Sequence, residues 1–279
     1  MEKRIILRGV LVGALAGLLA FVFARIFAEP QIQAAIDYES GRDEAQELLN
    51  KAAGLPAGDE GPEIFTRAIQ ANVGIGVGIV LFGVAMGALF AVAYAVCLGR
   101  VGNLRPRTLS VLVAGGGFLG IYLVPFVKYP ANPPSIGHGA TIGVRGALYV
   151  VMMVCSVAFL VGAAVLGKRL AKRFGNWNAT LLAALAFVVV TGVAMALLPS
   201  LGELAANVRD YGPQATETPL PLRNPAGQIV YPGFPADVLW DFRFYSVAAQ
   251  AIMWAAIGLL FAPLAERLLA PRAERVAAS

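Results

Sequence analysis

Residues 146–198 read GALYVVMMVCSVAFLVGAAVLGKRLAKRFGNWNATLLAALAFVVVTGVAMALL, two uncharged runs joined by a short basic segment. An apolar run of about 20 residues is long enough to cross a hydrocarbon core of about 30 Å as a helix. In lipid the backbone must satisfy its own hydrogen bonds, and a helix does so within one segment. This stretch therefore predicts two membrane spans, at 146–166 and 179–198.

The same pattern recurs along the rest of the chain. Four more apolar runs are predicted to span the membrane, at 6–28, 70–97, 108–127 and 244–264. Of the 279 residues, 58% are hydrophobic and only 14% are charged, whereas a soluble domain carries about 25% charged residues. The predicted fold class is therefore all-α and integral to the membrane, a single domain (1–279) built as a six-transmembrane-helix bundle.

The basic residues orient this bundle. With the N-terminus in the cytoplasm, the inside segments hold 13 of the 22 Lys and Arg residues but only three of the 17 acids. The basic ones are Lys3, Arg4, Arg8, Arg100, Arg105, Arg107, Lys168, Arg169, Lys172, Arg173, Arg267, Arg272 and Arg275. Because Lys and Arg in short loops stay inside, both termini are predicted to be cytoplasmic in a bacterial inner membrane. The net charge of +5 is explained by basic residues at helix ends that contact anionic lipid, so nucleic-acid binding is not predicted.

Three connections are then extracytoplasmic, at 29–68, 128–143 and 199–243, and those after helices 1 and 5 are long. In the first, Ser40 to Asp43 resemble a capping box, which predicts a short helix from there to Ala53 that Gly54 ends. The second is rich in proline and is predicted to be rigid and extended, with unpaired carbonyls, and to hold the start of the third. The third shows little periodicity and is expected to pack over the outer mouth of the bundle.

Glycines at helical spacing predict close helix packing. Small-xxx-small patterns, which let two backbones approach, occur at Gly9, Gly13 and Gly17 in the first span, at Gly74, Gly78, Gly83 and Gly87 in the second, and at Gly116 and Gly120 in the third. An alternative concerns the range 74–78, whose three glycines are also typical of a locally broken helix beside a substrate path.

One histidine is the candidate metal ligand. His138, the only histidine of the chain, is predicted to lie in an exposed outer loop with Asn132. Neutral imidazole suits cobalt, nickel, copper and zinc ions alike, and carboxylates such as Asp37 and Glu39 could complete the site or attract the ion. The alternative is a surface or hydrogen-bonded histidine without a ligand role.

Further polar residues near the spans are candidates for a pathway or for structural ion pairs: Lys128, Arg145, Asp241, Arg243, Asn72 and Gln250. Of these, Asn72 and Gln250 are predicted to form hydrogen bonds between helices. A nucleophile–base pair and a multi-histidine site are both missing from the sequence, so we expect neither an enzyme nor a permanently bound cofactor.

Specific strings resemble a known family. LVPFVKYPANPP at 123–134, followed by Thr141-Ile-Gly143, is similar to the signature loop of the CbtA family. Similar strings are Phe23-Ala-Arg25 with Glu29-Pro30, Trp177-Asn-Ala-Thr-Leu181, Phe234-Pro235 and Leu239-Trp240-x-Phe242-Arg243. The resemblance implies a probable cobalt transporter subunit that imports Co²⁺, with a small histidine-bearing membrane partner of the CbtB kind. The alternative is a non-transporting structural or regulatory subunit of a larger membrane complex.

Overall fold

The computed structural model describes residues 2–55, 66–102, 104–212, 214 and 216–269. Its helices are α1 (Glu2–Phe27), α2 (Glu29–Ala52), α3 (Arg67–Cys97), α4 (Pro106–Lys128), α5 (Ile142–Leu197), α6 (Ala205–Tyr211) and α7 (Ala236–Leu269). Single 3₁₀ turns occupy Gly139–Thr141 and Leu201–Glu203. Two short strands, β1 (Leu222–Arg223) and β2 (Ile229–Tyr231), pair in antiparallel fashion.

Among the described residues, five helices are long and apolar enough to cross a membrane, namely α1, α3, α4, α5 and α7. Helix α5 contains both predicted spans of residues 146–198, and Gly175 within it has a non-helical φ of 73°. A Cβ added at Gly167 would lie 3.3 Å from the Cβ of Ala183. Residues 16 positions apart touch only if the chain reverses, so the two halves of α5 pack side by side as a hairpin.

Two membrane helices contain a π-helical turn, Gln70–Gly74 in α3 and Phe118–Leu123 in α4. The turn in α4 directly precedes Pro125, whose ring cannot donate a backbone hydrogen bond. The wider turn lets α4 continue through this proline to Lys128. In α3 the backbone at Gly74 keeps helical angles, so the expectation of a broken helix at residues 74–78 is wrong.

One compact unit comprises residues 1–30, 60–118 and 244–279. Within it, α1 packs along α3 through the predicted glycines. A Cβ on Gly83 would lie 2.5 Å from the carbonyl oxygen of Gly13 and 2.7 Å from the Cα of Gly17. The prediction of close glycine packing is thus confirmed for this helix pair.

The helix ends of this unit are tied by polar contacts. At one end Arg8 donates to the Leu264 carbonyl over 2.9 Å, and Arg107 forms a 2.6 Å ion pair with Glu266. At the other end the Arg25 guanidinium donates to the side-chain oxygen of Asn72 over 2.9 Å. The starts of α1 and α4 therefore lie beside the end of α7.

A second unit comprises residues 31–59 and 119–243. Its α2 starts at Glu29, so the predicted capping box at Ser40 is wrong: Ser40 lies in the middle of an already formed helix. The helix ends as predicted at Gly54, which has a φ of +69°, and the Leu55 amide donates to the Asn50 carbonyl over 2.9 Å. Residues 56–65 of this connection lie outside the described part of the chain.

The third connection contains regular structure that its sequence pattern does not indicate. Between 199 and 243 lie a 3₁₀ turn, α6, the β1–β2 hairpin and the first turns of α7. The hairpin end packs on α2, where Tyr38 is buried against Tyr231 and Phe234. The Tyr38 hydroxyl also donates to the Pro232 carbonyl over 2.9 Å. Burial raises the pKa of Tyr38 above its usual value, so this donor keeps its proton.

Candidate functional site

His138 is buried, with 8% of its surface exposed, so the expectation of an exposed loop histidine is wrong. Its ring stacks on Tyr211 with centroids 3.7 Å apart and planes inclined by 11°. Its carbonyl accepts a 3.0 Å hydrogen bond from the Thr141 hydroxyl, which starts the turn into α5. The burial follows from α6, which covers the ring.

Asn207 holds the imidazole from the same helix. Asn207 and Tyr211 are four residues apart on α6 and therefore lie on one face. The side-chain oxygen of Asn207 is 2.6 Å from Nδ1 of His138. Its amide nitrogen donates to the Leu201 carbonyl over 2.6 Å and to a carboxylate oxygen of Glu217. Every hydrogen-bonding group of this amide is thus in use.

An ion pair between a buried carboxylate and a half-buried guanidinium completes the set. Glu217 is 1% exposed, and its second carboxylate oxygen is 3.1 Å from the guanidinium of Arg145 at the start of α5. The four residues His138, Asn207, Glu217 and Arg145 are named here the His138 cluster. Burying a carboxylate is costly unless hydrogen bonds and a counter-charge support it, and Asn207 donates one hydrogen bond to Glu217.

Two glycines allow the chain to close around the cluster. Gly137 has a φ of +142°, and a Cβ there would lie 2.8 Å from the Arg145 guanidinium. A Cβ at Gly202 would lie 2.5 Å from the carbonyl carbon of Gln214. Because of this second contact, the segment that carries Glu217 can fold back over the turn before α6.

Asn132 is held by a different cation. The Arg243 guanidinium donates to the Asn132 side-chain oxygen over 2.7 Å and to the Ala131 carbonyl over 3.1 Å. It also donates to the hydroxyl of Thr216, the residue before Glu217, over 3.4 Å. Asn132 thus lies in a neighbouring polar set and does not bond to His138.

The proline-rich segment 128–134 has no regular secondary structure, in line with its sequence. Its carbonyls were expected to be unpaired, but those of Ala131 and Pro133 accept hydrogen bonds, which corrects that expectation. The Tyr129 hydroxyl donates to the Pro199 carbonyl over 3.0 Å, the predicted contact with the start of the third connection. The Lys128 amine lies 5.7 Å from the Tyr129 ring centre.

The predicted acidic partners lie elsewhere. Asp37 is exposed on α2 and accepts a 2.8 Å hydrogen bond from Gln33, while Glu39 is half-buried on the same helix. Neither forms a hydrogen bond or an ion pair with His138. Across the described ranges, no group of three or more His, Cys, Asp or Glu residues is close enough to hold a metal ion.

The remaining candidate polar residues are Asn72, Gln250 and Asp241. Asn72 accepts from Arg25 of α1, which confirms its interhelical hydrogen bond. The side-chain oxygen of Gln250 is buried in α7 without a partner in the described part of the chain. Asp241 is half-buried two residues before Arg243.

Sequence reasoning missed Asn207, Tyr211 and Glu217. All three lie in the third connection, whose sequence shows little periodicity. The spacing of Asn207 and Tyr211 could have indicated them. Residues four positions apart share one face of a helix, where an amide and an aromatic ring can contact the same side chain. No local pattern marks Glu217, whose partners are 10 and 72 positions away.

Comparison with known proteins agrees with the membrane fold. The family model described as "Probable cobalt transporter subunit (CbtA)" matches residues 2–266, nearly the whole chain. No curated protein and no solved structure matches the chain. The match covers all five apolar helices and, apart from the last three residues of α7, every described element. The chain therefore belongs to the CbtA family, and is a multi-pass membrane protein of cobalt transport.

Proposed function

We propose that this subunit imports Co²⁺ and that His138 is a ligand in its outer recognition site. The observation that supports this is a buried imidazole whose Nδ1 lies 2.6 Å from the side-chain oxygen of Asn207, which leaves Nε2 as the nitrogen that can bind a metal ion. Metal-binding histidines are usually held in this way through their other nitrogen. Imidazole nitrogen is also a suitable donor for Co²⁺.

In this proposal the other predicted site residues help His138 to bind Co²⁺, some from nearby and some from a distance. Asn132 and the carbonyls of the proline-rich segment lie on the same connection as the ligand. Asp37 and Glu39 act at longer range, because carboxylates on the outer surface raise the local concentration of cations. Co²⁺ is the cargo, the chain is not an enzyme, and no cofactor stays bound. A small histidine-bearing subunit of the CbtB kind supplies further ligands.

The proposed topology is a single membrane domain of six spans, with both termini in the cytoplasm of a bacterial inner membrane. The reversal at Gly175 supports two spans within α5. The contacts of Arg8 with Leu264, and of Arg107 with Glu266, support a common side for the starts of α1 and α4 and the end of α7. The positive-inside rule assigns that side to the cytoplasm.

Reporter fusions test this topology. Fusions after Gly102 and Gly175 are expected to report cytoplasm, because each follows an outside-to-inside span and lies near basic residues. Fusions after Gly54 and Gly227 are expected to report the outer side. Paired enzyme reporters that are active on opposite sides of the membrane make every site its own control. A single reversed site would contradict the six-span alternation.

Cobalt uptake tests the function. Cells that express the chain together with a small histidine-bearing subunit are expected to accumulate Co²⁺, measured by ICP mass spectrometry, above cells with an empty vector. Expression of the chain alone shows whether the partner is required. Preloaded cells that lose cobalt faster when the chain is expressed would reverse the proposed direction. Unchanged cobalt content in every strain would remove the import proposal.

The second candidate function is a non-transporting subunit that stabilises or regulates a larger membrane complex. An apolar groove within the first unit favours it, since the groove is lined by small residues, including Ala114, Gly115 and Gly258, beside Trp254. Small residues let another helix approach closely. In this case Arg145, Arg243, Lys128 and Asp241 serve only structure, and uptake does not depend on His138.

A further inference from the structure

The orientation of the Asn207 amide decides where the proton of His138 lies. One end of this amide is 2.6 Å from the Leu201 carbonyl oxygen, which can only accept a hydrogen bond. That end must be the NH₂ group, and its second hydrogen is directed to Glu217. The amide oxygen therefore faces His138.

The other end fixes the imidazole. The amide oxygen of Asn207 is 2.6 Å from Nδ1 of His138 and, like the Leu201 carbonyl, it can only accept. Two acceptors do not lie this close, so Nδ1 carries a proton and donates it. In the neutral ring the second nitrogen, Nε2, then carries the lone pair.

The ion pair keeps the amide from turning over. An amide flip would direct the Asn207 oxygen at both the Leu201 carbonyl and the Glu217 carboxylate, two acceptors that would then repel it. Glu217 is held in place by Arg145 at 3.1 Å and is almost completely buried. In such a site an unsatisfied or repelled polar group is costly. The accepting oxygen of Glu217 thus enforces the amide orientation, and Arg145 holds that side chain in place.

We infer that Asn207, anchored by Glu217 and Arg145, is a positioning residue that holds His138 with a proton on Nδ1, so that the neutral form of the ring has its lone pair on Nε2. The metal-binding consequence rests on the proposed function: the site presents one imidazole lone pair to a borderline divalent transition ion. Hard cations such as Mg²⁺ and Ca²⁺ prefer oxygen ligands and gain little from it. Free imidazole side chains favour the opposite tautomer, so the cluster is needed to select this one.

Nitrogen NMR can read this directly because His138 is the only histidine of the chain. The full-length protein is labelled with ring-¹⁵N histidine, purified with a histidine-free tag and studied metal-free in lipid nanodiscs at a pH where the ring is neutral. We expect a protonated-nitrogen shift for Nδ1 and a lone-pair shift for Nε2. The reverse assignment in the parent protein would overturn the inference.

Two variants separate positioning from general structure. Asn207→Leu removes the acceptor and is expected to move the ring toward the Nε2–H tautomer. Glu217→Gln keeps an oxygen that can accept from Asn207, so it is expected to retain the parent tautomer. An unchanged spectrum in a folded Asn207→Leu variant would overturn the inference. If that variant does not fold, the spectra of the parent and of Glu217→Gln still decide.

Zn²⁺ serves as the diamagnetic probe of the metal-binding step. Added to the parent protein, it is expected to shift Nε2 while Nδ1 keeps its proton, and Asn207→Leu is expected to bind it about 10- to 100-fold more weakly. An Nδ1–H ring that does not respond to Zn²⁺ would confirm the positioning and contradict the ligand role of His138. An Nε2–H ring in the parent, with cobalt uptake intact, would contradict the positioning alone.

Discussion

Replacing His138 with asparagine is expected to lower Co²⁺ uptake at limiting cobalt by more than about tenfold. Loss of a residue that only hydrogen-bonds to a metal ligand already lowers metal affinity by about tenfold or more, and this variant removes the ligand itself. An asparagine amide nitrogen can occupy the place of Nδ1 and donate to Asn207, but nothing replaces Nε2. The variant should therefore keep the contacts among Asn207, Glu217 and Arg145 and lose only the metal-binding nitrogen. Initial uptake rates over a range of cobalt concentrations, normalised to the amount of membrane-inserted protein, measure the effect.

Three controls accompany this variant. His138→Ala also removes the ligand, but it leaves the buried oxygen of Asn207 without a donor and should cost about 1–3 kcal/mol in the free energy of unfolding. Asp37→Asn and Glu39→Gln should weaken uptake less, and salt should reduce their effect, because these carboxylates act through a screened field. Uptake by a folded His138→Asn variant equal to the parent would show that His138 is not a ligand.

The apolar helices could be predicted because lipid imposes one requirement on every spanning segment. Apart from residues 28 and 198, each of the six predicted runs lies within a helix of the structure, and α7 starts eight residues earlier than expected. The close packing at the glycines of α1 and α3 could also be predicted, because small residues repeated along one side of a helix indicate the face that packs. Both signals are local in sequence.

The candidate site could not be predicted in the same way. Its ligand was found from residue type alone, but its burial depends on α6, a helix of seven residues in a segment with little periodicity. The partners of His138 are 69 or more positions away, and sequence spacing carries no record of such contacts. The same holds for α2, where packing of Tyr38 on the β-hairpin end stabilises a helix that begins before its local start signal.

The second large effect is expected at Gly83, in the contact between α1 and α3. Its added Cβ would lie 2.5 Å from the Gly13 oxygen, 2.7 Å from the Gly17 Cα and 2.9 Å from the Gly17 nitrogen. All three atoms belong to backbone, which cannot turn away as a side chain would. The helices must separate, and Gly83→Ala is expected to lower the free energy of unfolding by about 3 kcal/mol, the upper range for an overpacked core.

Gly78→Ala is the matched control, because it lies on the same helix, five residues earlier, and a Cβ there meets nothing within 4 Å. Alanine also favours the helical backbone over glycine by about 1 kcal/mol, so this variant should be neutral or slightly more stable. Thermal unfolding of both variants in one detergent measures the difference. Since lipid offers little hydrophobic drive for helix association, the lost backbone contact cannot be offset by repacking apolar surface. Equal unfolding temperatures for Gly83→Ala and Gly78→Ala would show that α1 and α3 do not depend on this close approach.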